Sequence, residues 1–180
     1  VLWYSTGHVV TTTTVQVADA GVLPARDVNG TSNGEGVMLG IYSTAANTNA
    51  AVINNSTANY ESSSGLGNRT ATLFNLAGYM IPATPVIGNL TRFNLNAGDT
   101  GIKTLGNVTL GTSLVTGSVT FLLYRPIATI GVGVANTPVV FTPEISPRLY
   151  NGSCLTWLFI GGTGTTAPAI GDATIQVVER

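Results

Sequence analysis

Hydrophobic and polar positions alternate along this chain in short runs broken by turn-forming residues. Thr11–Asp19 (TTTTVQVAD) is rich in Thr and Val, and Glu35–Thr44 (EGVMLGIYST) is a brief apolar run ending in polar residues. Asn68–Leu76 and Asn89–Gly98 alternate, and Gly106–Arg125 reads as a short strand, a glycine-containing turn and a longer strand. In the longer strand Val119, Phe121 and Leu123 fall on one face. The runs TPVVFTPEI, SCLTWLFIGG and GDATIQVVER complete the set. A period of two in β-branched and aromatic residues, punctuated by Gly, Asn, Pro and Ser, predicts roughly eight to ten short strands and an all-β sandwich or barrel. A single-domain, jelly-roll-like β-sandwich fits that count, because it closes most strand edges within one domain. Helical signal is weak: the best segment lies within Ser43–Asn54, and its β-branched and Asn residues favour a loop or a single turn.

Two regions are set apart from the sandwich. Residues 1–17 predict an extended N-terminal arm or exchanged strand, with 18–180 as the β-sandwich domain. Residues 45–67 are polar and rich in small residues and predict a long loop, of the kind used as an interaction arm. Val28–Gly36 (VNGTSNGEG) predicts a shorter turn-rich loop.

Composition changes the picture in one respect. Charged residues are 8% of the 180, where about 25% is typical, while apolar residues are 44%. Mean hydropathy is +0.34. Low charge with ordinary apolar content predicts folding rather than disorder. A net charge of −1 without a basic cluster excludes a nucleic-acid partner. A surface with so little charge needs covering by other subunits or by glycan. The most apolar region, Leu114–Val140, is broken by Arg125, Pro126 and Pro138, so no membrane span is expected. VLWYSTGHVV has no basic stretch ahead of an apolar one, so no signal peptide is expected in the sequence as given.

Candidate chemistry is sparse. Cys154 is the single thiol and His8 the single imidazole, and a cysteine nucleophile needs both a thiolate and a base. The apolar run around Cys154 predicts a buried central strand, Cys154 to Ile160, after an Asn151–Gly152 turn and ahead of a flexible loop from Gly161 to Ala167. No G-x-S-x-G elbow is present. Most acids sit in turn contexts, where Asp caps its own backbone. A calcium site from Asp27 and Asn29 is a minor alternative to turn capping, and GGTGTT lacks the Lys of a phosphate loop. The expectation is therefore no enzyme, no metal and no cofactor. Sequons begin at Asn29, Asn54, Asn55, Asn68, Asn89, Asn107 and Asn151. They suggest a glycosylated extracellular protein, although a chain so rich in Asn, Ser and Thr produces many by composition alone.

TFLLYRP, then TPVVFTPEISPRLYNGSCLTWLFIGG, then IGDATIQVVER resembles the C-terminal part of small β-jelly-roll decoration (cement) proteins of tailed-bacteriophage virions. The likeness lies in the uncharged Thr/Gly/Val-rich style, the Pro-flanked crossover, the Asn-Gly turn into an apolar run and the alternating end. The resemblance implies a non-enzymatic homo-oligomer, a trimer in many such proteins, that sits on the capsid exterior, bridges major capsid protein subunits and stabilises the head. Expected interface residues are Trp3, Tyr4, His8, Val9 and Tyr60, with Trp3 and Tyr4 as aromatic anchors. The alternative is a subunit of an extracellular archaeal or bacterial filament at the cell surface, N-glycosylated and built head-to-tail by inserting HVVTTTTVQVAD into the next subunit's sheet. A carbohydrate-binding sandwich fits less well, because aromatics are few and mostly lie within apolar runs.

Overall fold

The computed structural model describes residues 1–46, 55–73, 88, 90–129, 147–156 and 158. Eight strands follow in order: β1 (Trp3–Ser5), β2 (Gln16–Val17), β3 (Met38–Ala45), β4 (Thr57–Ser62), β5 (Arg69–Leu73), β6 (Leu90–Asn94), β7 (Ile102–Thr109) and β8 (Ser118–Tyr124). No helix occurs among the described residues. The fold is all-β. Every pairing is antiparallel, in the sheet order β1-β8-β3-β6-β5-β4-β7-β2.

The sheet curls into two layers. β5 and β6 share only two paired positions, Thr72 with Asn94 and Leu73 with Phe93, and this short seam lets the sheet turn. One core then gathers from both halves: Leu39, Ile41, Phe93, Val119, Phe121 and Leu123 from one layer, and Ala58, Tyr60, Ala71, Leu73, Leu105 and Val108 from the other. β8 is buried along nearly its whole length because both its faces are covered. Its outward residues Leu122 and Tyr124 join Leu90 in a second cluster, against which Met38, Tyr42 and Leu158 pack. A strand buried on both faces reads as a continuous apolar run, as FLLY does. Gly40 makes room for this outer cluster, since a Cβ there would stand 2.6 Å from Leu90 Cδ1 and 3.2 Å from Tyr124 Cε1.

Residues 1–17 supply both ends of the sheet: β1 on β8 and β2 on β7. Leu2 N–H donates to the Leu123 carbonyl at 2.8 Å, extending the first pairing. Beyond β2, the amides of Ala18 and Ala20 bond the carbonyls of Gly106 and Leu105. Between the two strands the segment is tied at Val10, which is buried and whose carbonyl accepts from Leu114 N–H at 2.8 Å. In this single chain the segment therefore lies along the sandwich rather than extending from it. The predicted strand Thr11–Asp19 shrinks to Gln16–Val17, because Thr12 and Thr14 bond to one another in an exposed turn.

Two further expectations need correcting. The stretch 45–67 is not one long loop, since it contains β4, whose inward positions Ala58, Tyr60 and Ser62 alternate with Thr57, Asn59 and Glu61. The start of the predicted strand at Cys154 is an exposed loop: Asn151–Gly152 makes the expected turn, with Gly152 at φ 69°, but Cys154, Leu155 and Thr156 lie in solvent without strand pairing, and of the run's described residues Leu158 alone packs inward, on the second cluster. Trp157, Phe159 and Ile160, the runs 137–145 and 171–180, and the loop 161–167 lie outside the described residues.

The two aromatic residues of β8 respond oppositely to truncation. Phe121 is 1% exposed and packs on Phe93 at 6.3 Å between centroids, so Phe121→Ala is expected to cost about 3–5 kcal/mol in urea unfolding. The Tyr124 hydroxyl is buried without a hydrogen-bond partner among the described residues, and burial pushes it up to about 12. Tyr124→Phe removes an unsatisfied group and is expected to raise stability by about 1 kcal/mol in the same measurement.

Candidate functional site

The residues expected at an interface divide between core and surface. Tyr60 is 1% exposed and belongs to the core. Its hydroxyl donates to Asp99 Oδ2 at 2.5 Å and accepts from Asn96 N–H at 2.9 Å, while Arg69 Nε reaches the same carboxylate at 3.0 Å. Burial first, then the bond to Asp99, raises the Tyr60 hydroxyl above its ordinary value. Bonds from Arg69 and Tyr60 hold the Asp99 carboxyl below its own. This network pins the β6–β7 turn to β4 and β5, so Tyr60 is corrected from interface residue to structural residue. Trp3 is half-buried against the main core. Tyr4, 65% exposed, points outward. Val9 is exposed, and its backbone N–H and carbonyl are both held by the Gln16 side chain, at 2.7 and 2.9 Å.

His8 lies edge-on to the Phe121 ring, 4.9 Å between centroids, with Nε2 2.9 Å from Ser5 Oγ. Cys154 lies at the other end of β1, where the Val1 amino group reaches its carbonyl. The fold thus does not assemble a cysteine–histidine pair from these two residues.

Asp27 is the most heavily bonded carboxylate among the described residues. Oδ1 accepts from the amides of Asn29 and Thr31. Oδ2 accepts from the Thr31 hydroxyl at 2.6 Å and from the amides of Gly34 and Glu35. Burial opposes ionisation here, but the bonds from Thr31, then Glu35 and Asn29, outweigh it and hold the carboxyl below its ordinary value. The residue organises the 27–35 loop. A cation at Asp27 would have to displace amide protons already aimed at it. Among the described residues no group of three or more His, Cys, Asp or Glu is placed to hold a metal ion. An open depression of about 410 Å³ beside β6 has Arg92 and Asp99 on its walls, with Asp99 already committed to Arg69 and Tyr60.

Of the sequon asparagines, Asn29, Asn55, Asn68, Asn107 and Asn151 are exposed, and Asn54 and Asn89 lie outside the described residues. The Thr31 hydroxyl of the first sequon is engaged by Asp27.

What sequence reasoning missed is a whole face. The outward positions of the β5-β4-β7-β2 layer include two rows across the strands. One row runs Thr109–Thr57–Thr72 and on to Asn94; the other runs Val17–Asn107–Asn59–Thr70. Neither row contains a charged or an aromatic residue. Beyond these rows the face continues to Glu61 of β4, which is paired with Lys103 of β7, while Arg69 of β5 is paired with Asp99 in the β6–β7 turn. The signal was present as TANYES, RTATL and GNVT, whose alternate Thr and Asn residues share a face only once the register is known.

No family model, curated protein or solved structure matches this chain.

His8 gives the N-terminal segment a pH dependence. Burial lowers its pKa from the ordinary 6.5, so the unfolded chain takes up the proton first as pH falls. The stability contributed by neutral His8 is complete above that ordinary value and is lost as pH drops through it toward the folded value. The thermal midpoint is expected to fall between pH 7 and pH 5, and His8→Gln is expected to shrink that difference.

Proposed function

We propose that this chain is a structural, non-enzymatic subunit of a virion. In this reading it is a decoration protein that binds the outside of a phage head as a homo-oligomer and stabilises it by contacts with the major capsid protein. The observation that carries the reading is the neutral Thr/Asn face of the β5-β4-β7-β2 layer. Interface cores are depleted in charge, and hydroxyl and amide side chains both donate and accept, so such a face lies against another protein without stranding a buried ion. The exposed Cys154 thiol has no described imidazole or acid beside it to activate it. Of the expected interface residues Tyr4 and Val9 are the exposed ones, so the anchor role narrows from Trp3 and Tyr4 to Tyr4.

The filament reading has one observation of its own. Residues 1–17 provide both edge strands yet place only five residues in the ladders, an arrangement that a neighbouring copy's segment reproduces by exchange. Val17 and Asn107, paired across β2 and β7, discriminate the two readings. In a Cys154→Ser background, Val17→Cys with Asn107→Cys is expected to form a disulfide within one chain, leaving a monomer band on a non-reducing gel. A ladder of cross-linked species would favour the filament.

For the capsid reading, Asn59→Arg with Thr72→Arg places two charges on the neutral face without touching the core. Capsid occupancy, counted by electron microscopy of reconstituted heads, is expected to fall at least about tenfold while the thermal midpoint stays within a few degrees. Undiminished occupancy would remove the face from the interface.

A further inference from the structure

Charge in this molecule is scarce and unevenly placed. Of its seven Lys and Arg residues, Arg69 is paired with Asp99 and Lys103 with Glu61. Three others, Arg26, Arg125 and Arg148, converge on one end of the sandwich, where β8 leaves the sheet and the 147–155 loop meets the 27–35 loop. Arg125 Nη2 donates to the Arg148 carbonyl at 2.6 Å. The Arg125 and Arg148 guanidinium carbons stand 5.5 and 5.2 Å from the Tyr150 ring centroid. Tyr150 is held in turn, its hydroxyl donating to the Val28 carbonyl at 3.1 Å and its ring pressed on Gly30, where a Cβ would come within 2.7 Å. Arg26 and Arg125 line one cleft together with Ile127, Ser153, Cys154 and Leu155.

No described carboxylate answers these cations. Asp27 adjoins Arg26 in sequence, but it is 1% exposed and its oxygens accept five bonds from its own loop. Glu35 accepts from the Thr100 hydroxyl, and Glu61 and Asp99 hold the two ion pairs. Gathering three like charges in a chain with 8% charged residues is unfavourable unless an anion offsets it.

We infer that this end of the sandwich docks an acidic segment of a partner protein, with Arg26, Arg125 and Arg148 receiving its carboxylates. Guanidinium groups bind carboxylates through paired N–H donors, and stacking on a fixed aromatic ring orients two of the three in advance. The 27–35 loop, locked by Asp27, and the ring of Tyr150 make the platform rigid. Leu155, 42% exposed, and Ile127 border the same cleft, so an apolar side chain between acidic ones finds contact there. That apolar border favours a peptide over inorganic phosphate. Three cations on a chain of net charge −1 neutralise too few phosphates to hold a nucleic acid. The inference is independent of whether the assembly is a shell or a filament.

A fluorescently labelled peptide of alternating Glu and Leu is the probe, read by anisotropy on the full chain at about 20 mM and about 200 mM salt. Expected are saturable binding at the lower salt, marked weakening at the higher, and at least about tenfold weaker binding for Arg26→Gln with Arg148→Gln. Arg148→Gln alone, at an exposed position, is expected to weaken binding with an unchanged melting curve. Lack of saturable binding at low salt, equal affinity for the double variant, or displacement by inorganic phosphate at the peptide's own concentration would each overturn the inference.

Discussion

The curled sheet depends on being closed at both ends by the same short stretch of chain. An open antiparallel sheet leaves two strands with unpaired backbone groups, and without residues 1–17 these would be β7 and β8. Residues 1–17 cover both: three residues of β1 lie on β8, and two of β2, continued by the amides of Ala18 and Ala20, lie on β7. A bare edge is a template for unplanned pairing, and a chain this poor in charge has little other means of preventing it. The tie at Val10 and the ring of His8 on Phe121 couple this closure to the core. The closure is thus sensitive to both packing and protonation.

The two layers are finished differently on their outer sides. Behind β8, β3 and β6 part of the outer side is apolar, with Leu122, Tyr124 and Leu90 buried in a second cluster beside the polar positions Arg92 and Thr120. Behind β5, β4 and β7 the outward residues are mostly Thr and Asn, with Glu61 toward one end held by Lys103. The first layer therefore covers part of its outer side within the chain, while the second presents polar surface. On the proposed reading, that asymmetry, together with the small number of charges, is what assigns a neighbouring subunit to the Thr/Asn side.

Legibility in the sequence followed hydrophobic contrast. β3 and β8 could be read because MLGI and FLLY carry the apolar density of strands covered on both faces. β4 could not, because Ala58 and Ser62 are small inward residues amid Asn and Ser, and only Tyr60 marks the strand. Tyr60 itself misled for the same reason. An aromatic in a polar stretch reads as an exposed anchor, whereas its burial depends on Asp99, 39 positions away, which accepts the hydroxyl. At Cys154 hydrophobic contrast misleads in the other direction, since an apolar run implies burial whereas Leu155 is 42% exposed. The arginine cluster was invisible for a topological reason: its members lie on three separate loops, and no local window contains two of them.

The neutral face and the arginine end impose different physics on any assembly. Burying Thr and Asn side chains costs desolvation that is recovered only where each finds a matching donor or acceptor. Such a face therefore selects partners by fit and contributes modest affinity per unit area. The arginine end acts at longer range and weakens with salt. A subunit that carries both can be drawn toward an acidic partner first and held in register by the uncharged face afterwards. Because the charged groups of the β4, β5 and β7 layer are already paired, the arginine end remains the dominant unmatched charge among the described residues, and it sets the orientation of approach.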